Sequence, residues 1–262
     1  MMKTGKLIVN ADDWGRDRNT TDRTLECVLE GALSSVSAMM FMEDSERAAD
    51  IACARSIDAG LHLNFTAPFS RGANVAAKLK DHQLRLTSHL RRNRLSQVVF
   101  HPGLVRSFEY VVSAQLDEFR RCYGRAPQRI DGHHHMHLCS NVVFAGLLPA
   151  GIIVRRNFSF QSGEKGASNR LYRSVIDGIL GRRHKVTDFF FSLPPMEPMS
   201  RVDKIFALAA SSTVEVETHP VNDDEFRFLT SGEVFRRAGK LTIANNYELT
   251  GARTSIGRSE NA

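Results

Sequence analysis

With 262 residues and 42% hydrophobic content, the chain is long enough for one large α/β domain or two small ones, and one is favoured. Thirty-five Lys and Arg against 29 Asp and Glu leave a net charge of +6, spread along the chain, which admits nucleic acid, anionic lipid or an acidic substrate without selecting one. Four cysteines without CxxC spacing argue against a disulfide scaffold, and no stretch approaches the roughly 18 apolar residues of a membrane span. Met1 to Lys6 lead into a strand-like segment with no apolar signal region, so the expected location is the cytoplasm.

Lys6 to Asn10, containing Leu7, Ile8 and Val9, is an apolar run expected of a strand buried on both faces, and Asp12 and Asp13 follow it. Residues 19–30 predict a helix with Leu25, Val28 and Leu29 on one side and Gly31 as its stop. Val36 to Phe41 reads as a second strand, Glu43 to Arg55 as a helix, and Ala59 to Leu63 as a third strand with Gly60 inside it. Residues 66–103 break the rhythm, mixing Pro68, Gly72, Pro102 and Gly103 with basic residues that include Arg91, Arg92 and Arg94 beside His89. They predict an excursion or partly helical lid, and long excursions often serve a site.

A helix from about Leu104 to Tyr123 ends at Gly124, and a strand over Gln128 to Asp131 delivers the run Asp131-Gly132-His133-His134-His135-Met136-His137. Asn141 to Leu148 reads as a short helix, Ile152 to Arg155 as a strand, 161–169 as a polar loop and 171–180 as a helix. Asp188 to Phe191 and Val214 to Thr218 read as strands around a helix at Arg201 to Ala210, with Leu241 to Ala244 open as one more strand. Seven or eight strands alternating with helices predict a single α/β domain over 1–262 with a mainly parallel sheet, either a (β/α) barrel or an open doubly wound sheet. Asp12, Asp13, His62, Asp131, His133, Arg155 and His219 all fall at or just past strand ends, which converge on one face in a barrel.

The histidine run points to a metal, because imidazole is the commonest protein ligand for transition metals, although a polar loop of adjacent histidines explains it equally well in isolation. Asp12 and Asp13 are costly together in a confined place unless a cation or proton compensates, although a turn or cap would also use Asp. His62 lies within an apolar strand, where a hydrogen-bonded core histidine is the bland reading. Val214 to Pro220 alternates so that Glu215, Glu217 and His219 share a face. Asp13, His62 and one member of the histidine run offer two imidazoles and a carboxylate, a set that leaves coordination positions for water and substrate. Cys139 is close enough in sequence to approach such a metal, but a structural thiol is the favoured reading.

The motifs VNADDWG at 9–15, GLHLNFT at 60–66, DGHHHMH at 131–137 and ETHP at 217–220 resemble the YdjC-like carbohydrate deacetylase family, in an order and spacing that span most of the chain. The resemblance implies a barrel-like α/β fold and hydrolysis of N-acetyl groups on sugars with one divalent metal ion. It also implies Asp13, His62 and His133 as metal ligands, Asp12 as catalytic base and His219 as general acid. Trp14 stands where many relatives have phenylalanine, and Val221 follows His219-Pro220 where glycine is usual.

On this reading the metal lowers the pKa of a water, Asp12 takes its proton, and His219 protonates the leaving amine, kept charged by Glu217 or Asp131. Asp131 is also open as the group that orients a metal-binding histidine. Zinc, magnesium and manganese all suit the donors. Arg155 and Arg156 are open as substrate contacts, Trp14 as a sugar-stacking ring, and Phe158, Phe160 and Phe189 to Phe191 as core, sugar platform or subunit contact in a homo-oligomer. The expected partner is a small N-acetylated carbohydrate, with no nucleic acid and no membrane span. The competing readings are another metal-dependent hydrolase such as a phosphoesterase, and a non-catalytic carbohydrate-binding or nucleic-acid-binding protein.

Overall fold

The structure is a computed structural model describing residues 5–71, 75–159 and 167–249. In chain order it contains β1 (Lys6–Trp14), α1 (Arg18–Leu29), β2 (Ser35–Ala38), α2 (Ser45–Arg55), β3 (Ala59–Leu63), α3 (Ala77–Leu90), α4 (Leu95–Val98) and α5 (Val105–Tyr123). There follow β4 (Arg129–Gly132), α6 (Ser140–Phe144), β5 (Ile153–Val154), α7 (Ala167–Arg183), β6 (Phe189–Ser192), α8 (Ser200–Leu208), β7 (Thr213–Thr218), α9 (Asp223–Thr230) and α10 (Glu233–Ala238). The strands form one parallel sheet in the order β5-β4-β3-β2-β1-β7-β6.

The sheet curls into an incomplete barrel. Its edge strands β5 and β6 are linked by backbone bonds from neighbouring segments: Val154 N–H to Lys185 O at 2.9 Å, Lys185 N–H to Ile152 O at 3.0 Å and Ser159 N–H to Phe190 O at 2.7 Å. Leu241 to Ala244 contributes a single bridge, Leu7 to Ile243, rather than an eighth strand. The excursion is partly helical, as expected, with α3 and α4 inside it. α9 and α10 fill a stretch for which the sequence suggested no element. Most of the expected polar loop at 161–169 lies outside the described residues, as does Phe160.

Helix formation follows local chemistry. Asp17 caps α1 by accepting the Thr20 backbone N–H at 2.8 Å. α5 buries Phe108, Val111, Val112, Leu116 and Phe119 along one stripe and ends at Gly124, whose φ of 66° a side chain would disfavour.

Alternation along each strand divides the sheet into two unlike faces. Leu7, Val9, Ala11, Val36, Leu61, Ile130, Val154, Val214 and Val216 belong to the main core packed under the helices. The other face lines the barrel interior and is polar: Asn10 Nδ2–H donates to the Ser37 hydroxyl at 2.8 Å, the Ser37 hydroxyl donates to Asp131 Oδ2 at 2.6 Å, and Arg129 Nη1–H donates to Ser37 Oγ at 3.0 Å. Gly60 faces this interior, where a Cβ would stand 2.7 Å from the Arg129 guanidinium carbon. Below the polar layer, Ile8, Ala244 and Tyr247 form a small separate apolar plug.

Candidate metal centre and cleft

β1 runs four residues past the expected end, so both aspartates lie within it. Strict alternation would send Asp12 and Asp13 to opposite faces. Instead the β1–β2 register slips between Ala11 and Trp14, and Asp13 adopts a left-handed φ of 64°, which Asp tolerates better than most residues. Both carboxylates therefore reach the C-terminal rim of the barrel.

Three side chains converge there from separate strands. His62 Nε2 stands 3.4 Å from Asp13 Oδ1, and His133 Nδ1 stands 2.9 Å from that same oxygen. One donor atom from each of Asp13, His62 and His133 falls within 4.8 Å of the others, a set able to hold a metal ion. Asp12 lies beside it, with Oδ2 at 3.9 Å from His62 Nε2. Asp131, paired with His62 in β-sheet register, places Oδ1 2.7 Å from His62 Nδ1. That contact fixes the ring and leaves Nε2 directed at the centre. Asp131 therefore stands with His62, while Glu217 and Glu225 are the carboxylates near His219.

His134 and His135 both take left-handed backbone angles, φ 54° and 57°, which ordinarily cost about 1–3 kcal/mol each. The resulting turn spreads the histidine run. His133 faces Asp13, His134 Nδ1 meets the Thr66 hydroxyl at 2.9 Å, and His137 is buried with Nε2 3.0 Å from the Arg155 carbonyl. His135 Nε2 lies 3.6 Å from Glu217 Oε1, its ring edge-on to Phe158. Phe158 stacks in turn on Phe190, with centroids 4.6 Å apart.

Arg155 organises the charge beneath the centre. It is fully buried, which removes both the substrate contact and the surface position that the sequence left open. Its Nη1–H and Nη2–H donate to the two Asp12 oxygens at 2.6 and 2.7 Å, and Nε–H donates to Glu215 at 2.7 Å. Nη1 and Nη2 also lie 3.2 Å from Glu217 and Asp131 respectively. Arg156 is likewise engaged, with Asp177 at 2.8 Å. Asp12, His62 and Asp131 form a second possible metal set, but Arg155 already neutralises both of its carboxylates.

Burial is the largest influence on Asp12 and Asp131 and would raise their pKa values, but the Arg155 guanidinium and His62 together outweigh it and hold both below the usual carboxylate value. Burial likewise opposes ionisation of Asp13, yet hydrogen bonds from His133 and His62 bring it well below that value. For His62 burial disfavours charge, but Asp12, Asp13 and Asp131 raise its pKa to about 10. Burial and the neighbouring Asp12 charge push Glu217 up to about 7. The centre is thus rich in negative charge, and a cation on Asp13, His62 and His133 would replace the proton that His62 otherwise holds.

His219 stands just past β7 on the same rim. Its backbone N–H donates to Glu225 Oε2 at 2.8 Å, and its ring favours ionised Glu217 and Glu225. Among the described residues no hydrogen bond ties that ring to Asp12, Asp13, His62 or His133. Trp14 is completely buried, donating Nε1–H to the Ala48 carbonyl at 3.2 Å, which removes it as a sugar-stacking ring. Cys139 is buried and its thiol is pushed up to about 12 by that burial, the structural role favoured from sequence. A cleft of about 440 Å³ opens beside the histidine turn, with Arg94, Gln97, His134, His135, Phe158 and Tyr172 among its lining.

Fold and site together define an α/β protein whose curled parallel sheet carries a two-imidazole, carboxylate-rich centre at its C-terminal rim. The chain belongs to the YdjC-like protein family, whose model matches residues 6–243. A carbohydrate deacetylase from Homo sapiens is 34% identical over 152 residues, covering 55% of this chain and 46% of that relative. The chain spans about half the length of the vertebrate relatives it matches. A carbohydrate deacetylase from Vibrio cholerae is 24% identical over 270 residues, covering 94% of each chain. The crystal structure of an Enterococcus faecalis protein provisionally assigned to cellobiose-phosphate cleavage superposes with a TM-score of 0.64 at 16% identity, covering 93% of this chain and 98% of that one, a likeness of fold.

Proposed function

We propose that this protein is a metal-dependent hydrolase that removes the acetyl group from an N-acetylated sugar or oligosaccharide. The observation that carries the reading is the convergence of Asp13, His62 and His133 from distant strands, with Asp12 alongside. The carbohydrate deacetylase relatives supply the substrate class. A divalent ion held by the three ligands, zinc, magnesium or manganese, would polarise the acetyl carbonyl and acidify water.

The chain's own residues divide the remaining work. Asp131 keeps the His62 Nδ1–H engaged so that Nε2 serves as the ligand atom. Arg155 and Asn10 hold the Asp12 carboxylate in place and ionised, and Oδ2, the oxygen nearer His62, takes a proton from the attacking water. His219, just past β7 on the same rim, delivers a proton to the departing amine. Phe158 offers the half-buried ring on the cleft wall against which a sugar face packs.

Acetate release across a panel of N-acetylated sugars, with each metal restored to chelated protein, tests the proposal. Asp12→Asn is expected to retain metal and lose turnover by about 10²–10⁴-fold. His133→Ala is expected to lose both. Equal metal loss in the two variants would overturn the division of roles, and no acetate release with any metal or sugar would overturn the activity.

A further inference from the structure

The outer wall of the cleft has a composition that the proposed chemistry does not use. α4 packs on α6, and α6 on α7, while Asn141 clamps the α4 exit by bonding both the His101 N–H and the His101 carbonyl, at 3.0 and 2.9 Å. Along this face Leu95, Val99, Phe100, Phe144, Leu171 and Val175 are all exposed, four of them aliphatic residues showing more than half their surface. Exposed apolar side chains on three helices packed in series are a candidate interaction surface.

Its charge is of one sign. Between Asp81 and Glu109 the chain has no acidic residue, but it has Arg85, Arg91, Arg92, Arg94 and Arg106. Arg91, Arg92 and Arg94 are exposed immediately before Leu95. Residues 133–151, which include α6, contain no Asp, Glu, Lys or Arg. α7 adds Arg173, Arg182 and Arg183, and its single acid, Asp177, is occupied by Arg156 and Asn157. A symmetric dimer through this face would set arginines against their own copies, which disfavours self-association.

We propose that this face docks on an anionic lipid surface, the arginines meeting headgroup phosphates while Leu95, Val99, Phe100 and the α7 side chains enter the boundary of the acyl region. α4 and α7 are also the two lips of the cleft, through Arg94, Gln97 and Val98 on one side and Tyr172 and Arg173 on the other. Docking would therefore set the cleft mouth against the headgroups. The binding is independent of the reaction catalysed.

Sedimentation of the full chain with phosphatidylcholine vesicles, with and without phosphatidylglycerol, reads this directly. The expected result is salt-sensitive binding that requires phosphatidylglycerol. It should weaken on the order of a hundredfold in Arg91→Gln/Arg92→Gln/Arg94→Gln, at roughly fivefold per arginine near an anionic surface. Leu95→Ser/Val99→Ser should also weaken it, with acetate release from a soluble sugar unchanged. Circular dichroism verifies that these surface variants remain folded. No binding to the anionic vesicles, equal binding to both vesicle types, or full binding by both variants would overturn the proposal. Binding of a duplex oligonucleotide, or dimerisation lost in Leu95→Ser/Val99→Ser, each without vesicle binding, would overturn it in favour of that other partner.

Discussion

Arg155→Met replaces the guanidinium at the centre of the barrel with a shorter, unbranched apolar chain, leaving Asp12, Asp131, Glu215 and Glu217 without their common partner. Removing one side of a buried ion pair costs about 3–5 kcal/mol, because the surviving charge stays desolvated. For a chain of this size that is a Tm loss of roughly 10 °C. The pH dependence gives the sharper test. In the parent, Asp12 and Asp131 have folded pKa values below the ordinary 3.8, so they contribute stability above about pH 4 that is lost as pH falls through the folded values. In the variant burial, the largest influence, is opposed only by His62 and, at Asp131, Arg129, and the folded values rise above the unfolded ones. Each ionised carboxylate then costs stability at neutral pH, and protonation relieves that cost on acidification. Denaturant melts should therefore show the widest gap between parent and variant near pH 7, narrowing towards about pH 4.5. A gap under 1 kcal/mol at pH 7, or one of equal size at both pH values, would refute the account of Arg155 as the hub of the buried charge.

Metal binding to chelated protein at about pH 8 should release a proton, because His62 is protonated up to about 10 without a cation. Calorimetry in buffers of different ionisation heat measures the number released, and zero would contradict the charge balance of the centre. Gly60→Ala should destabilise by about 1–3 kcal/mol, since the new methyl meets the buried Arg129 guanidinium at 2.7 Å; an unchanged denaturation midpoint would show that Arg129 can move. Trp14→Phe should cost about 1–3 kcal/mol through lost volume and the lost bond to Ala48, with no change in KM for sugar. A raised KM at unchanged stability would return Trp14 to the substrate side.

Much of the architecture was legible because the apolar runs and helical stripes are local signals. Lys6 to Asn10, Ala59 to Leu63 and Val214 to Thr218 emerged as strands within a few residues of their observed bounds. α9 and α10 were missed because short helices carry too few turns to establish a period. Asp12, Asp13, His62 and His133 were all singled out, and the structure brings them together. Arg155 and Trp14 were misread for a common reason. Sequence position next to a strand end does not reveal whether a side chain turns inward, and both turn inward here. The alternating TVEVET segment held the missing clue, since Glu215 and Glu217 on one strand face require a buried cation if that face lines a barrel.

By itself the sequence determined the strand–helix alternation and the residue types at the strand ends, because hydrophobic periodicity and side-chain chemistry are properties of short stretches. The tertiary structure decided how those ends meet. The slipped register at Asp13 put two adjacent carboxylates on one rim, and the left-handed turn at His134 and His135 separated His133 from its neighbours. Curling of the sheet buried Arg155 among four carboxylates from other strands. Such outcomes depend on contacts between residues up to 143 positions apart, which no local pattern encodes.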